Sequence, residues 1–170
     1  MSMTPIFHTK LDASTTSIDF TSIPQTYTHL YLVISSRHTN LVIDGQLYIN
    51  GTGGTRTSTY AQTNGIPTST TGGIIGVFAN RSSQVSGSFA NSTALIMNYT
   101  EAREHRISVE TVEVGTGSAV FLLFGGNYTT STAPVTSISI LGTSGANMDV
   151  GSSATLYGIT AGSDGITTVS

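Results

Sequence analysis

The sequence predicts an all-β domain of the sandwich or barrel class. Short apolar runs rich in Val, Ile, Thr and Tyr recur along the 170 residues, and Gly, Asn, Ser or Pro ends nearly every run. The same punctuation recurs too often for uninterrupted helical turns. We therefore expect one core, built from eight to ten short antiparallel strands without a long helix.

The composition is unusually poor in charge. Only 9% of the residues are charged, against roughly 25% in an ordinary soluble domain, and the net charge is −3. This balance gives no electrostatic footprint for nucleic acid or an anionic membrane, so we predict neither partner. The chain has no cysteine, which excludes disulfides and thiolate sites.

Three regions are predicted along the chain. Residues 1–15 show little periodicity and are expected to form an N-terminal arm or an edge strand. Residues 16–160 form the single sandwich domain, and residues 161–170 form a polar tail. Neither a signal-peptide pattern nor an apolar run of membrane-spanning length is present, so we expect synthesis in a cytoplasm.

The first strands flank a proline turn. Residues 18–20 alternate apolar with polar side chains, Pro24 presets a turn, and residues 28–35 form a longer strand. Residues 41–49 are apolar except at 44–46, an interruption typical of a bulge or a tight turn.

A polar stretch at 52–73 follows, and we predict that it is a long loop. After it, residues 100–106 are expected to form one helical turn capped by Thr100. The remaining strands are predicted at 73–79, 85–89, 93–99, 107–114, 119–124, 135–141 and 154–159.

Four of these strands, at 28–35, 73–79, 93–99 and 119–124, are apolar on both faces. On the first, Leu30, Leu32 and Ile34 point one way, whereas Tyr31 and Val33 point the other. Burial of a large side chain contributes about 1.5–3 kcal/mol, so four wet faces would forgo a sum comparable with a domain's net stability of roughly 5–15 kcal/mol. We expect other copies of the chain or a partner to cover part of these faces; the competing explanation is that long loops fold over them.

No cofactor or metal site is predicted. The histidines His8, His29, His38 and His105 lack the spacing that preorganises a metal site. The densest charge lies at 101–113, where an enzyme would pair His105 with Glu104 or Glu110 as acid and base. We favour a solvated loop and strand face with local ion pairs. A third interpretation is an intersubunit ion-pair patch that includes Glu101, Arg103 and Arg106.

The seven tyrosines allow two interpretations. Their ring faces would suit a sugar-binding surface, with Tyr60 and Tyr128 as the candidate platforms in loops 52–73 and 125–134. We favour strand positions half buried at interfaces, because tyrosine is enriched in strands.

Three segments resemble a widespread group of tailed-phage virion structural proteins. They are IDFTSIPQTYTHL at 18–30, MNYT at 97–100 and VGSSATLYGI at 150–159. In that group a strand, an IPQTY-like turn and a second strand open the domain, and an ATLYGI-like strand closes it. The resemblance implies a non-enzymatic β-sandwich of jelly-roll type that assembles as an oligomer on a virus particle.

The resemblance does not say where on the particle the protein lies; its small single-domain size, the arm-like residues 1–15 and its uncharged Gly- and Thr-rich surface lead us to expect a capsid decoration or cement protein of the virion. It would form a homotrimer, bind across adjacent subunits of the major capsid protein and stabilise the head, with Tyr31, Val33, Glu101, Arg103 and Arg106 as interface candidates. The alternative is a tail-tip or receptor-binding module that recognises host carbohydrate through Tyr60 and Tyr128. A hydrolase is the least favoured reading, because no acid–base pair stands out.

Overall fold

The computed structural model describes residues 2–40, 44–53, 58–61, 67–70, 75–78, 86–114, 120–128, 132–142 and 145–161. Every secondary-structure element assigned in these residues is a β-strand, so the predicted all-β class is confirmed. The strands are β1 (Ser2–Lys10), β2 (Ser17–Phe20), β3 (His29–Ser36), β4 (Asp44–Ile49), β5 (Thr52–Gly53), β6 (Ser58–Ala61), β7 (Pro67–Thr70), β8 (Ile75–Phe78), β9 (Ala90–Met97), β10 (Arg106–Val114), β11 (Val120–Tyr128), β12 (Ile138–Gly142) and β13 (Ser153–Thr160).

Two antiparallel sheets form the sandwich. The larger has six strands in the order β1-β13-β3-β9-β10-β11, and the smaller has the order β2-β12-β4-β5 with β8 also paired to β4. A separate hairpin joins β6 to β7. β1 occupies one edge of the six-stranded sheet, as expected for an N-terminal edge strand.

The core lies between the two sheets. Even-numbered residues of β3 point inward, and Leu30, Leu32 and Ile34 are at most 1% exposed. The small sheet contributes the apolar residues of β2, β4 and β12 to the same core. Phe7 of β1 stacks on Phe20 of β2 with ring centroids 5.6 Å apart, which links the edge strand to the opposite sheet.

Some predicted elements are corrected by the structure. Strands β5, β6 and β7 lie inside 52–73, which we expected to be a loop, because Thr and Ser pair as readily in strands as they occur in loops. Residues 86–89 are not in a strand, and β9 begins at Ala90 instead. Residues 44–46, where we expected a bulge or a tight turn, instead continue β4 without interruption, and the extra residue of the register shift against β8 is Gly76 on β8.

The predicted helical turn at 100–106 is also wrong. The β9–β10 connection is a turn in which the Glu101 N–H donates to the Asn98 carbonyl at 3.1 Å. Asn98 adopts a left-handed φ of 49°, a conformation that asparagine tolerates well and that reverses the chain without helix. Residues 41–43 and 162–170, which include parts of the predicted strand and tail, lie outside the described residues.

Candidate assembly surface

The six-stranded sheet has an outer face, defined as the side away from the core that carries Tyr31 and Val33. Strand register places Tyr31 between Tyr157 of β13 and Leu95 of β9, and places Pro5 of β1 beside Tyr157. These four residues form one cross-strand row. Neighbours in such a row lie within side-chain contact, so the row is a continuous apolar strip.

A second row extends the strip toward the end of the sheet. Met3, Ile159, His29 and Met97 occupy successive strands in register. Met3 is 54% exposed and Met97 is 49% exposed, while Ile159 between them is buried. The apolar part of the outer face therefore spans four strands and two rows. Contiguous patches of this kind mark interaction sites more often than scattered apolar residues do.

The other half of the outer face is mostly polar, with Val33 and Val112 as its apolar members. His8, Thr155, Val33, Thr93 and Glu110 form the third row, and Lys10, Ser153, Ser35, Asn91 and Val112 form the fourth. The His8 ring nitrogen Nδ1 lies 2.8 Å from the Thr155 hydroxyl. Water can therefore form hydrogen bonds with the hydroxyl and amide groups of this half, whereas the first two rows present mainly carbon atoms to solvent.

The three segments of the phage resemblance meet at one corner of the sandwich. Tyr99 is fully buried, and its hydroxyl donates to the Pro24 carbonyl and accepts the Tyr27 N–H at 3.4 Å. The Tyr27 ring lies against Gly158, where a Cβ atom would overlap the ring. Burial raises the pKa of the Tyr99 hydroxyl above its ordinary value, so the group remains a protonated donor at neutral pH.

Other hydrogen bonds hold the same corner. The Gln25 side chain donates to the Ile23 and Val135 carbonyls, both at 2.9 Å, and the Val135 N–H donates to the Tyr99 carbonyl at 2.8 Å. The Asn98 N–H donates to His29 Nδ1 at 3.0 Å, which fixes this nitrogen as the acceptor. The segments of the resemblance therefore contain residues that close the fold.

The interface candidates divide into two groups. Tyr31 and Val33 lie at the centre of the outer face, half buried, and Arg106 lies in β10 beside Met97 by strand register. Glu101 and Arg103 instead lie in the β9–β10 turn, where their side chains pair at 2.9 Å and are each 52% exposed. The structure thus brings Tyr31, Val33 and Arg106 to one face. Glu101 and Arg103 form a local ion pair in the turn, as in the solvated-loop interpretation that we favoured.

The candidate sugar platforms lie in strands, not in the loops where we expected them. Tyr60 belongs to β6 and Tyr128 is the last residue of β11. Backbone placement brings β6 alongside β11, with Cα atoms within 8 Å. The two side chains lie outside the described part of the structure, so only the neighbouring positions of their strands are established.

The acid–base pairing considered for His105 does not occur with Glu110. His105 precedes β10 on the inward side and is 1% exposed, with Nε2 lying 3.1 Å from the Ala133 carbonyl. Glu110 is exposed on the outer face, on the opposite side of the sheet. Glu104 is likewise exposed. Within the described residues, no group of three or more His, Asp or Glu side chains is arranged to hold a metal ion.

Arg37 is the one arginine or lysine among the buried polar residues of the described core, at 7% exposure. Its Nε lies 3.6 Å from the Asp149 carboxylate, and its guanidinium donates to the Ser88 carbonyl at 3.2 Å. Its backbone carbonyl accepts the Asp149 N–H at 2.7 Å. These contacts tie the segments before β9 and β13 to the end of β3, which is a structural role.

Sequence reasoning missed Leu95, Tyr157 and Met97 as parts of the apolar strip. Each lies at an alternating position of a predicted strand, which was the available signal. Which strands are neighbours depends on contacts between residues far apart in sequence, and alternation within one strand carries no such information.

A scan against protein-family models finds no match for this chain, and a search of curated proteins finds none either. In the part of the chain that the structure describes, no helix has the length and apolar character needed to span a bilayer.

Proposed function

We propose that this chain is a non-enzymatic structural protein of a phage virion that assembles with itself. Within that class, we favour a capsid decoration or cement protein, a homotrimer of jelly-roll type that binds across subunits of the major capsid protein. Its role would be to stabilise the head by adding buried apolar area between neighbouring subunits.

The observation that carries this proposal is the apolar half of the outer face. Tyr31, Tyr157 and Leu95 are held side by side on a rigid six-stranded sheet, and Met3 and Met97 flank them with about half of each side chain in water. A surface of this kind favours a protein partner over a small polar substrate. It suits a protein whose work is assembly.

The corner formed by Tyr27, Tyr99 and Gly158 adds a second support. Residues from all three segments of the phage resemblance contact one another there. Three segments that jointly close a fold are a more specific feature than three unrelated short matches. The proposed relationship to virion proteins therefore rests on the fold-closing residues and not on the assembly surface.

Copy number on purified particles of the virus whose genome encodes this chain tests the proposal. Quantitative mass spectrometry should find the chain in a fixed ratio to the major capsid protein, at a number comparable with the capsid lattice positions. A few copies per particle would place the protein at the tail and contradict the decoration role. Absence of the chain from washed particles would contradict a virion role altogether.

A tail-tip or receptor-binding module is the second candidate, because β6 with Tyr60 runs alongside β11 with Tyr128. Two tyrosines on adjacent strands suit stacking against a sugar ring. A glycan array tests it. Specific binding that is lost in Tyr60→Ala and Tyr128→Ala, but kept in Tyr48→Ala on β4, would support this function. No binding to any glycan would exclude the carbohydrate reading.

A further inference from the structure

The outer face is electrically uneven from one side to the other. Strand β1, at one edge of the sheet, carries His8 and Lys10, whereas Glu110 lies on β10 next to the opposite edge strand. His8 and Glu110 stand in the same cross-strand row, with Thr155, Val33 and Thr93 between them. No ion pair joins Lys10 or Glu110 to another described residue of the chain. Among the described side chains, a lysine therefore lies at the β1 edge of the face, a glutamate lies on the far side of its apolar centre, and Arg106 lies three rows from Lys10.

The charges on the two sides of this face can pair with each other when copies of the chain are related by a rotation axis. If copies are arranged around an axis parallel to β3 with their outer faces turned inward, the β1 edge of one copy meets the β11 edge of the next, and Glu110 lies one strand in from that edge. This holds for two copies and for three, because a cyclic arrangement always brings opposite edges together. The same rotation keeps residues of one row at one height, so His8 and Lys10 approach Glu110 of the neighbour.

We propose that the outer face is covered by further copies of this chain, with the His8 and Lys10 margin of each copy docked against Glu110 of the next. The inference rests on the self-assembly proposed above and names its surface. The row of Pro5, Tyr157, Tyr31 and Leu95 then fills the space around the axis. The charged margins set the register of the copies.

The dimensions suit this arrangement. Six strands spaced about 4.8 Å apart make a sheet about 24 Å wide, and the edge strands of neighbouring copies must stay at least one strand spacing apart. Three such sheets around an axis then leave about 10 Å between the axis and each sheet, and tyrosine side chains from three copies extend into that space. Two sheets packed face to face lie about 10 Å apart and also accommodate such side chains. The dimensions therefore fit two copies or three.

The remaining charge on the described outer face does not oppose the docking. Arg106 lies in the row of Met3 and Met97, three rows from Lys10 along the strand direction. In the cyclic arrangement it approaches the Met3 end of the neighbouring copy and not the basic residues His8 and Lys10. Like charges thus stay apart, which is a requirement for a specific interface.

Zero-length cross-linking tests the docking directly, because Lys10 is the only lysine in the chain. Carbodiimide treatment of the full chain at micromolar concentration should yield covalent oligomers, and mass spectrometry of the digest should identify a Lys10–Glu110 isopeptide. Within one chain these residues are four strands apart, about 19 Å, which exceeds the reach of the two side chains. Any such cross-link therefore joins two copies.

Matched variants complete the test. Lys10→Arg keeps the charge but removes the reactive side-chain amine, and Glu110→Gln removes the carboxylate; both should lose the Lys10–Glu110 cross-link. Glu101→Gln, which changes an exposed acid in the β9–β10 turn, should keep it. Lys10, Glu110 and Glu101 are all exposed, so circular dichroism should show that the three variants fold like the wild type.

Two outcomes separate the inference from the proposed function. If light scattering finds an oligomer but Lys10 couples to other acids, self-assembly stands and the proposed surface is wrong. If light scattering finds only monomers and no cross-link forms, the docking and the self-assembly both fail. A Lys10–Glu110 cross-link in an oligomer supports the docking whatever the copy number on a particle.

Discussion

The two faces of β3 differ in how their apolar residues are used. On the inner face, Leu30, Leu32 and Ile34 are almost completely buried by the second sheet. On the outer face, Tyr31 and Val33 are only half buried, shielded by neighbours in their own rows. The same strand thus has one face whose side chains are buried within the chain and another whose side chains can still contact a second molecule.

This difference separates folding from assembly in the chain. Interactions of the inner face close within one copy, so their contribution to stability does not depend on protein concentration. Interactions of the outer face require another molecule, so their contribution rises with concentration by mass action. The comparison can be tested by changing one face at a time and measuring unfolding at several concentrations.

The largest effect is expected for Leu32→Ala. Leu32 is 0% exposed at the centre of the core, so truncation leaves a cavity and costs about 2–5 kcal/mol of unfolding free energy. Denaturant unfolding, monitored by circular dichroism, measures the loss. Val33→Ala on the same strand is the matched control and should cost clearly less at low protein concentration. Equal losses for the two variants would contradict the distinction between the faces.

The next effect is expected for Gly158→Ala. The added methyl group would overlap the Tyr27 ring, and overpacking of this kind costs about 1–3 kcal/mol. The loss should be smaller when Tyr27 is already replaced by alanine, because the obstructing ring is gone. Thermal unfolding of the wild type, both single variants and the double variant measures this coupling. Strict additivity would show that Tyr27 does not pack on Gly158 in solution.

A smaller effect is expected for Tyr99→Phe, which keeps the ring but removes the hydroxyl bonded to Pro24 and Tyr27. Loss of a buried hydrogen bond costs about 1–2 kcal/mol. The variant also tests pH dependence. Because burial raises the pKa of Tyr99 in the folded chain above 10.0, its contribution is intact below that pH.

As the pH rises above 10.0 and through the folded-state pKa of Tyr99, the wild type should lose stability. The Tyr99→Phe variant lacks this loss, so the difference in unfolding free energy between the two proteins should shrink with increasing pH. A difference that stays constant up to strongly alkaline pH would show that the Tyr99 hydroxyl is not selectively held in its protonated form.

The smallest effect on stability is expected for Tyr31→Lys. Tyr31 lies on the outer face, where the flexible stem of a lysine covers the sheet while its charge reaches water. The unfolding free energy of the isolated chain should change by under about 1 kcal/mol. The charge should nevertheless abolish self-association in sedimentation experiments. Asp19→Lys, at an exposed position of β2 in the other sheet, serves as the control and should retain association.

The sequence predicted those parts of the fold that depend on local alternation. The alternation in β3 and in β10 located the strands, whereas the departure from it at 44–46 did not mark a bulge in β4, because the extra residue lies on the paired strand β8. It did not predict the β6–β7 hairpin, because Thr, Ser and Gly serve equally in loops and strands. It also did not predict the Tyr99 bonds to Pro24 and Tyr27, since these residues are more than seventy positions apart in sequence.

The candidate site was only partly predictable for the same reason. Tyr31 and Val33 were recognised because a single strand was apolar on both faces. Their neighbours Tyr157 and Leu95 became apparent only from the order β13-β3-β9. Glu101 and Arg103 were grouped with Arg106 by closeness in sequence, but the turn after β9 separates that ion pair from the strand.

The most direct test of the assembly surface is the molar mass of the wild-type chain, measured by light scattering at micromolar concentration. If further copies cover the outer face, the mass should be a multiple of 17.7 kDa, with three copies expected. A stable species of 17.7 kDa over the whole micromolar range would contradict the central claim, because the apolar row around Tyr31 would then be stable while exposed to water.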